Sequence, residues 1–348
     1  MYYSPNNQPN YQSPYQQPYQ PYQPPYFQTF GPEKRELRKT SCGLGWAFFA
    51  ALVSPFLLAQ IGKFFLQAIG YPSSGSNGFG GLSPILYYLF SGAIYSLFLI
   101  VPFAVYLLIK RLPVAEVLPF EHVSVGNAVA CVCFGLAACM LANIPANIVA
   151  AFLESIGFSG NMPSEPKTDI LSANIIYAIG VMIIPPLVEE FVFRGVILNR
   201  LRKFGDGFAI FGSALLFGMF HGNFIQIPFA FVVGLVLALI VVRTGNLWIT
   251  VAIHAINNGF SLLYEFLGRY QGKEFATSVT NRIWLAFIVF GLIALIILCK
   301  KNKRFFNTDR PATFMPLSTR FGAMLGNIGM IAALLVCVGN AVYALVSY

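Results

Sequence analysis

The sequence predicts an all-α fold, a polytopic bundle of transmembrane helices with a disordered N-terminal tail, and three observations support this prediction. The chain has 348 residues, of which 57% are hydrophobic and only 10% are charged. Its mean hydropathy of +0.67 corresponds to more apolar surface than a soluble core can bury. Apolar segments of about 20 residues, the length that crosses a bilayer, recur from Cys42 onward. We therefore expect a multi-pass membrane protein.

The apolar segments predict about nine transmembrane spans. Lys and Arg concentrate in alternate connections, at residues 34–39, 110–111 and 300–304, so the positive-inside rule places the N-terminus in the cytoplasm. These connections explain the formal net charge of +9, and no nucleic-acid partner is predicted. The expected location is the plasma membrane, and the style of the tail favours a bacterial cell membrane. The approximate bounds of the spans are 43–69, 84–109, 127–153, 170–199, 208–221, 225–242, 247–267, 283–299 and 322–347.

Residues 1–40 are predicted to be a disordered cytoplasmic tail, and residues 41–348 the transmembrane domain. The first thirty residues are almost entirely Tyr, Gln, Pro, Asn and Ser, a composition from which no core can be built. Three interpretations stay open: a ligand for a Pro-recognising partner, a weakly self-associating tail, and a solvated extension. These residues do not have the pattern of a signal peptide, so the first span is expected to act as an uncleaved anchor.

Three charged residues interrupt the fourth predicted span, where each ionised group costs several kcal/mol unless it is paired. Glu190 and Arg194 are four residues apart and share a helix face, which predicts an ion pair. Glu189 points about 100° away on an α-helix and is free for another partner. Pro185 and Pro186, just upstream, predict a kink or a new helical segment beside the carboxylates. The alternative interpretation is a structural ion pair with an unused Glu189.

Two further polar elements lie on other predicted helices. Phe217 and His221 share one helix face, as do His254 and Asn258. Counted along each helix from its cytoplasmic end, Glu189, His221 and Asn258 lie roughly 18–21 Å deep, and His254 roughly 12 Å. Three helices are thus predicted to bring polar groups to one layer. The alternative for the pair on the later helix is hydrogen bonding between helices.

The chemistry that this layer permits is hydrolysis. Glu189 can act as general base on a water that His221 orients. His254 and Asn258 can donate hydrogen bonds to a tetrahedral oxyanion, each worth about 3 kcal/mol. A site within the membrane favours a peptide or small membrane-associated protein as substrate, and the lipid bilayer itself is the other expected partner.

Other chemistries remain as alternatives. No cofactor is predicted, but zinc at Glu189, His221 and His254 is stereochemically possible, although no HExxH motif occurs. The six cysteines lie in or beside apolar segments without zinc-ligand spacing and are interpreted as core residues. Intramembrane ionisable residues also occur in the proton relays of coupled transporters. A non-catalytic bacteriocin-immunity or scaffold protein that keeps the same fold is a further alternative.

Three ordered motifs resemble those of the CAAX protease and bacteriocin-processing (CPBP) family of intramembrane endopeptidases, which includes the type II CAAX prenyl endopeptidases. The family's EExxxR resembles residues 189–194, its FxxxH resembles residues 217–221, and its HxxxN/D resembles residues 254–258. Each motif is short, but the ordered triple is specific. The resemblance covers about residues 170–265.

The resemblance implies a CAAX-type glutamic endopeptidase with no departure at the motif positions. Glu189 and His221 would activate water, and His254 with Asn258 would form the oxyanion hole. The family includes prenyl-protein processing, bacteriocin maturation or self-immunity, and peptide-pheromone roles, so the substrate is left open. The supporting positions would be Glu190, Arg194 and Phe217.

Overall fold

A computed structural model describes residues 30–70, 79–158, 165–308 and 313–347, and these residues are helical with no β-strand among them. One isolated bridge joins Phe120 to Asn246. The helices are α1 (Gly31–Ala68), α2 (Pro84–Lys110), α3 (Val114–Val117), α4 (Val125–Ser155), α5 (Leu171–Glu189), a π-helical segment (Glu190–Ile197), α6 (Leu198–Arg202), α7 (Asp206–Phe220), α8 (Gln226–Thr244), α9 (Leu247–Tyr270), α10 (Lys273–Lys301), α11 (Leu317–Leu325) and α12 (Ile328–Ser347).

The polytopic helical fold is confirmed, and the chain is a multi-pass membrane protein. Among the described residues, seven helical stretches are long and apolar enough to cross a bilayer. The predicted span at 208–221 is α7, an apolar helix of 15 residues that is short for a crossing. The predicted span at 247–267 is α9, which is not one of the seven and carries several polar side chains on one face.

The N-terminal boundary of the helical domain differs from the prediction. Helix α1 begins at Gly31, so the last ten residues of the predicted tail 1–40 belong to the helix. Pro32 stands in its first turn with Glu33, and both residue types suit a helix N-terminus. Leu37 is fully buried, which anchors this extension to the bundle. The rest of the predicted tail, residues 1–29, lies outside the described residues.

The last predicted span, 322–347, is two helices rather than one. Helix α11 ends at Leu325 and α12 begins at Ile328. The division falls at Asn327, whose Oδ1 accepts a hydrogen bond of 3.0 Å from the backbone N–H of Met330. An Asn in this position caps the start of a helix, so the chain begins a new helix where the sequence suggested continuity.

The site region lies where α5, the π-helical segment, α7 and α9 meet. Helix α5 packs against α2 and α9, and the π-helical segment packs against α7 and α9. Helix α7 approaches α8 closely because Gly218 has no Cβ, which would lie 3.0 Å from the carbonyl oxygen of Ile227. These contacts fix the C-terminal end of α7, and with it His221, against the π-helical segment and α8.

Candidate active site

Glu190 is the centre of a buried charge cluster. Its Oε1 lies 2.9 Å from Nη1 of Arg194, and both side chains are fully excluded from solvent. The ion pair predicted from the sequence is therefore present. The same oxygen lies 3.1 Å from Nδ1 of His254 on α9, a contact that the sequence did not predict. Glu190 thus ties the helix that carries it to α9.

The winding of the chain changes at Glu190, because residues Glu190–Ile197 form a π-helix. A π-helix bonds each residue to the fifth residue before it, is rare, and is frequent at functional sites. Two side chains bond to carbonyls of this segment: Ser213 Oγ donates to Phe193 (2.8 Å) and Asn199 Nδ2 to Gly195 (3.0 Å). The new helical segment predicted beside the carboxylates is therefore present as this π-helix, and α5 itself runs through both prolines.

Glu189 and Glu190 both face His254, in contrast to the predicted divergence of about 100°. Glu189 Oε2 lies 3.8 Å from Nε2 of His254, whereas Glu190 contacts Nδ1 of the same ring. The two carboxylates therefore flank one imidazole. This places the first and third sequence motifs in direct contact.

Glu189 is buried, with 4% of its surface exposed, and its two oxygens are in different environments. Oε1 accepts a short hydrogen bond from the hydroxyl of Tyr95 on α2. Oε2 has no hydrogen-bond partner among the described residues. One oxygen is thus held by a hydrogen bond, and the other faces His254 Nε2 at 3.8 Å without a hydrogen bond.

Tyr95 is the residue that sequence reasoning missed. A buried Tyr hydroxyl usually has a hydrogen-bond partner, and Tyr95 stands in an apolar span, which is a weak signal. The chain has 17 tyrosines, however, and 94 residues separate Tyr95 from Glu189. Nothing in the sequence selects that pairing.

His221 is the first residue after α7, and its ring orientation is fixed by its own helix. Its Nδ1 lies 2.9 Å from the carbonyl oxygen of Phe217. A carbonyl can only accept, so Nδ1 carries the proton and Nε2 of the neutral ring is left as an acceptor. Glu189 is near enough to act electrostatically on His221, but no direct hydrogen bond between them occurs in the described structure.

Phe217 lies between the other motif residues. Its ring centroid is 5.0 Å from that of His221 and 6.0 Å from that of His254. The guanidinium carbon of Arg194 lies 4.0 Å from the ring centroid, a cation–π distance. The Phe217 ring therefore links all three motifs in one packed cluster.

Asn258 makes a hydrogen bond between helices, which was the alternative prediction for this residue. Its Nδ2 donates a hydrogen bond of 3.1 Å to the backbone carbonyl of Val181 on α5. In an α-helix that carbonyl would bond to the N–H of residue 185, but residue 185 is proline and has none. One amide hydrogen of Asn258 therefore satisfies the carbonyl that Pro185 leaves free, and the second amide hydrogen remains available.

A cavity of about 200 Å³ lies between α2 and α5 and reaches Tyr95. The loop charges predict that its far end faces outward, since Glu165 stands there rather than the basic connections. Because Tyr95 contacts Glu189, the cavity ends beside the buried carboxylate. Its lining includes Tyr88, Gly92, Tyr95, Tyr177, Gly180 and Pro185.

Within the described ranges, no three His, Cys, Asp or Glu side chains are arranged to hold a metal ion. The predicted zinc alternative would require Glu189, His221 and His254 to converge on one point. Metal dependence stays an untested prediction.

The part of the chain that contains the three motifs is similar to known proteins. Residues 171–260 match the Rce1-like family, described as type II CAAX prenyl endopeptidase Rce1-like. The resemblance predicted from the three motifs is confirmed for this segment, which covers all six polar motif residues. No solved structure matches the chain.

Two bacterial relatives are similar to part of the chain. The membrane-embedded CAAX protease MroQ of Staphylococcus aureus (strain USA300) is 34% identical over 134 residues, which are 36% of this chain and 54% of that protein. YdiL of Bacillus subtilis (strain 168), provisionally described as a membrane peptidase, is 28% identical over 123 residues, 34% of this chain and 50% of that protein. The chain thus spans about half the length of the curated relatives that it matches.

Proposed function

We propose that the chain is an intramembrane endopeptidase that hydrolyses a peptide bond with a water activated by Glu189 and His221. The observation that carries the proposal is the environment of the Glu189 carboxylate. Glu190 also has an oxygen without a hydrogen-bond partner among the described residues, but its other oxygen is bound to Arg194 and His254. Glu189 Oε2 is buried without a hydrogen-bond partner among the described residues, whereas Tyr95 holds Oε1. An unpartnered carboxylate oxygen in a buried site is costly and suits a group that takes a proton from water.

The water would be oriented from two sides. Glu189 Oε2 accepts one water proton, and Nε2 of His221 accepts a hydrogen bond from the other, because Nδ1–H of His221 is committed to the Phe217 carbonyl. The water oxygen then attacks the substrate carbonyl, and Glu189 passes its proton to the leaving amine. This step is general base followed by general acid catalysis.

The oxyanion would be stabilised by α9. Asn258 has one amide hydrogen left after its bond to Val181. The Nδ1–H of His254 faces the Glu190 carboxylate, so Nε2 becomes a donor when the ring carries both protons. The pair of donors fits a tetrahedral intermediate.

Glu190, Arg194 and Phe217 would support the site without touching the substrate. Arg194 compensates the Glu190 charge at 2.9 Å, so that Glu190 can stay ionised beside His254. Phe217 packs against both histidine rings. The proposed division into water-activating, oxyanion-binding and supporting residues follows these contacts.

The proposed substrate is a peptide segment of a membrane-associated protein or peptide. The descriptions of the matched family and of one relative refer to CAAX substrates. Because these matches cover only part of the chain, the experiment should test whether the substrate must be prenylated. The purified chain in liposomes should be given a panel of membrane-anchored peptides, prenylated and unprenylated in matched pairs. Products should be identified by mass spectrometry.

The variant Glu189→Gln/His221→Gln is the inactive reference. Cleavage by the parent but not by this variant would support the proposal. Equal cleavage by both proteins would contradict it, as would no cleavage by the parent of any peptide in a panel of varied sequence. Adding a chelator to the same assay tests the metal alternative, since loss of cleavage that zinc restores would favour it. A proton-coupled transporter would instead move protons across the liposome without cleaving any peptide.

A further inference from the structure

The basic end of α1 lines a pocket that the proposed peptidase reaction does not use. Arg35, Arg38, Lys39 and Trp46 lie on one face of α1, at spacings of three, four and seven residues along the helix. Lys110, the last residue of α2, and Ile328, the first of α12, face the same space. The space is an open groove of about 570 Å³. We call this site the basic pocket.

Two close helix crossings form the pocket. A Cβ at Gly43 would lie 2.9 Å from the ring of Tyr106 and 3.6 Å from Cε of Lys110, so the missing side chain lets α2 approach α1. A Cβ at Gly45 would lie 2.3 Å from the backbone N of Met330, so α12 also crosses in contact with α1. Three helix ends therefore meet in a fixed arrangement at the end of the bundle predicted to face the cytoplasm.

The positive charge of the basic pocket is uncompensated by the protein. Among the described residues, none of Arg35, Arg38, Lys39 and Lys110 makes an ion pair. Glu36 is close to these cations in sequence, but its carboxylate is bound to Lys203. Residues 1–30 contain no Asp or Glu, so the N-terminal sequence could not neutralise the pocket either. Four cations around one space are the complement of an anionic ligand.

An apolar surface continues from the pocket. Ile328, Ile331 and Leu335 are exposed and recur at spacings of three and four, so they share one face of α12. Trp46 is also exposed, and Trp is typical of the membrane interface. A ligand that is anionic at one end and apolar along the rest matches both surfaces.

We propose that the basic pocket binds the phosphate headgroup of an anionic phospholipid, whose acyl chains lie along α12. The chemistry that binds the headgroup is the fork of the two arginines and the point charges of the two lysines on phosphate oxygens. Basic pockets between transmembrane helices on the cytoplasmic side bind such headgroups. A free phosphate would share the headgroup chemistry but not the apolar contact.

The test uses the purified full chain in detergent and native mass spectrometry, with phosphatidylglycerol and phosphatidylcholine as the two probes. Phosphatidylglycerol should be retained and phosphatidylcholine should not. The variant Arg38→Gln/Lys39→Gln/Lys110→Gln should bind phosphatidylglycerol about 100-fold more weakly, because each basic side chain contributes roughly fivefold. The affinity should also fall as salt is added.

The matched control is Lys300→Gln/Lys303→Gln/Arg304→Gln, which removes the same charges, one Arg and two Lys, from the last turn of α10 and the connection after it. These residues are exposed and do not line the pocket. The control should bind phosphatidylglycerol within twofold of the parent. An equal loss in both variants would mean a diffuse attraction and would overturn the proposal, as would equal binding of phosphatidylcholine.

A second measurement needs no charge variant. Cys42 lines the basic pocket and is partly exposed, as is Cys299 outside it. Phosphatidylglycerol should slow alkylation of Cys42 and leave the rate at Cys299 unchanged. Equal protection of Cys42 by inorganic phosphate would identify a soluble-anion site and contradict a lipid site, and no protection by either probe would also contradict the proposal.

Discussion

Asn258 donates a hydrogen bond of 3.1 Å to the carbonyl of Val181, the carbonyl that Pro185 leaves without its helical partner. The carbonyl that Pro185 leaves unpaired on α5 thus gains its hydrogen-bond donor from α9. The bond clamps the two helices that carry Glu189 and His254. The same amide group would serve the proposed oxyanion site, so structure and chemistry are coupled at this residue.

The first prediction concerns this clamp. Asn258→Leu should lower the free energy of unfolding by about 1 kcal/mol, because it removes a hydrogen bond and leaves a carbonyl unpaired. In a Pro185→Ala background the cost should be smaller, since the backbone N–H of residue 185 can then bond to Val181. Denaturation of the four proteins in detergent gives the coupling energy. Asn257→Leu, one residue away, serves as the control, and additive effects of the two changes would contradict the clamp.

The second prediction concerns Tyr95. Tyr95→Phe removes the hydrogen bond to Glu189 Oε1 and should lower kcat roughly 10- to 100-fold, the value of one bond to a charged group. KM should change little, because the hydroxyl positions Glu189 rather than binding the peptide. Tyr87→Phe on the same helix removes a bond to Glu165 and should leave kcat unchanged. Equal kinetics for both variants would exclude a positioning role for Tyr95.

The third prediction concerns the buried ion pair. Arg194→Met should destabilise the protein by about 3–5 kcal/mol, because it leaves the Glu190 charge buried. Adding Glu190→Gln should recover part of that loss, since residue 190 then carries no charge for Arg194 to compensate. Arg269→Met breaks an ion pair whose Asp169 partner is 93% exposed and should cost under about 1 kcal/mol. Thermal unfolding of each variant measures these losses of stability. A larger loss in the double variant than in Arg194→Met would contradict the prediction.

The fourth prediction concerns the cavity between α2 and α5. Gly180 lines it, and a Cβ there would meet no atom within 4 Å. Gly180→Leu should therefore fold normally, fill part of the cavity, and lower kcat/KM roughly tenfold or more by displacing the substrate. Gly339→Leu, at an equally open position on α12, should leave kcat/KM unaltered. If the Gly180 variant cleaved as fast as the Gly339 variant, the cavity would not form part of the substrate path.

The sequence predicted much of the site because each motif lies within one helical turn or two. The Glu190–Arg194 pair follows from spacing alone. The common depth of Glu189, His221 and Asn258 stays a prediction from counting along the helices. The sequence did not predict contacts between segments that are far apart in the chain. His254 bonding to Glu190, and Tyr95 to Glu189, depend on which helix faces which.

Some features of the local helix geometry could not be predicted from the sequence either. Pro185 and Pro186 predicted a kink or a new helical segment, but they did not predict that α5 continues through both prolines and that the new segment at Glu190 is a π-helix. The π-helix depends on side chains from elsewhere, such as Ser213, which bonds to the Phe193 carbonyl. The early start of α1 at Gly31 depends on burial of Leu37 against other helices. Tertiary packing decided each of these features.

The measurement that tests the central claim most directly is the single-turnover cleavage rate of Glu189→Gln on a peptide that the parent cleaves. The amide keeps the shape of the carboxylate and its bond to Tyr95 but cannot take a proton from water. The rate should fall roughly 100- to 10,000-fold, with unfolding unchanged to within about 1 kcal/mol. A rate within threefold of the parent would contradict general-base catalysis by Glu189.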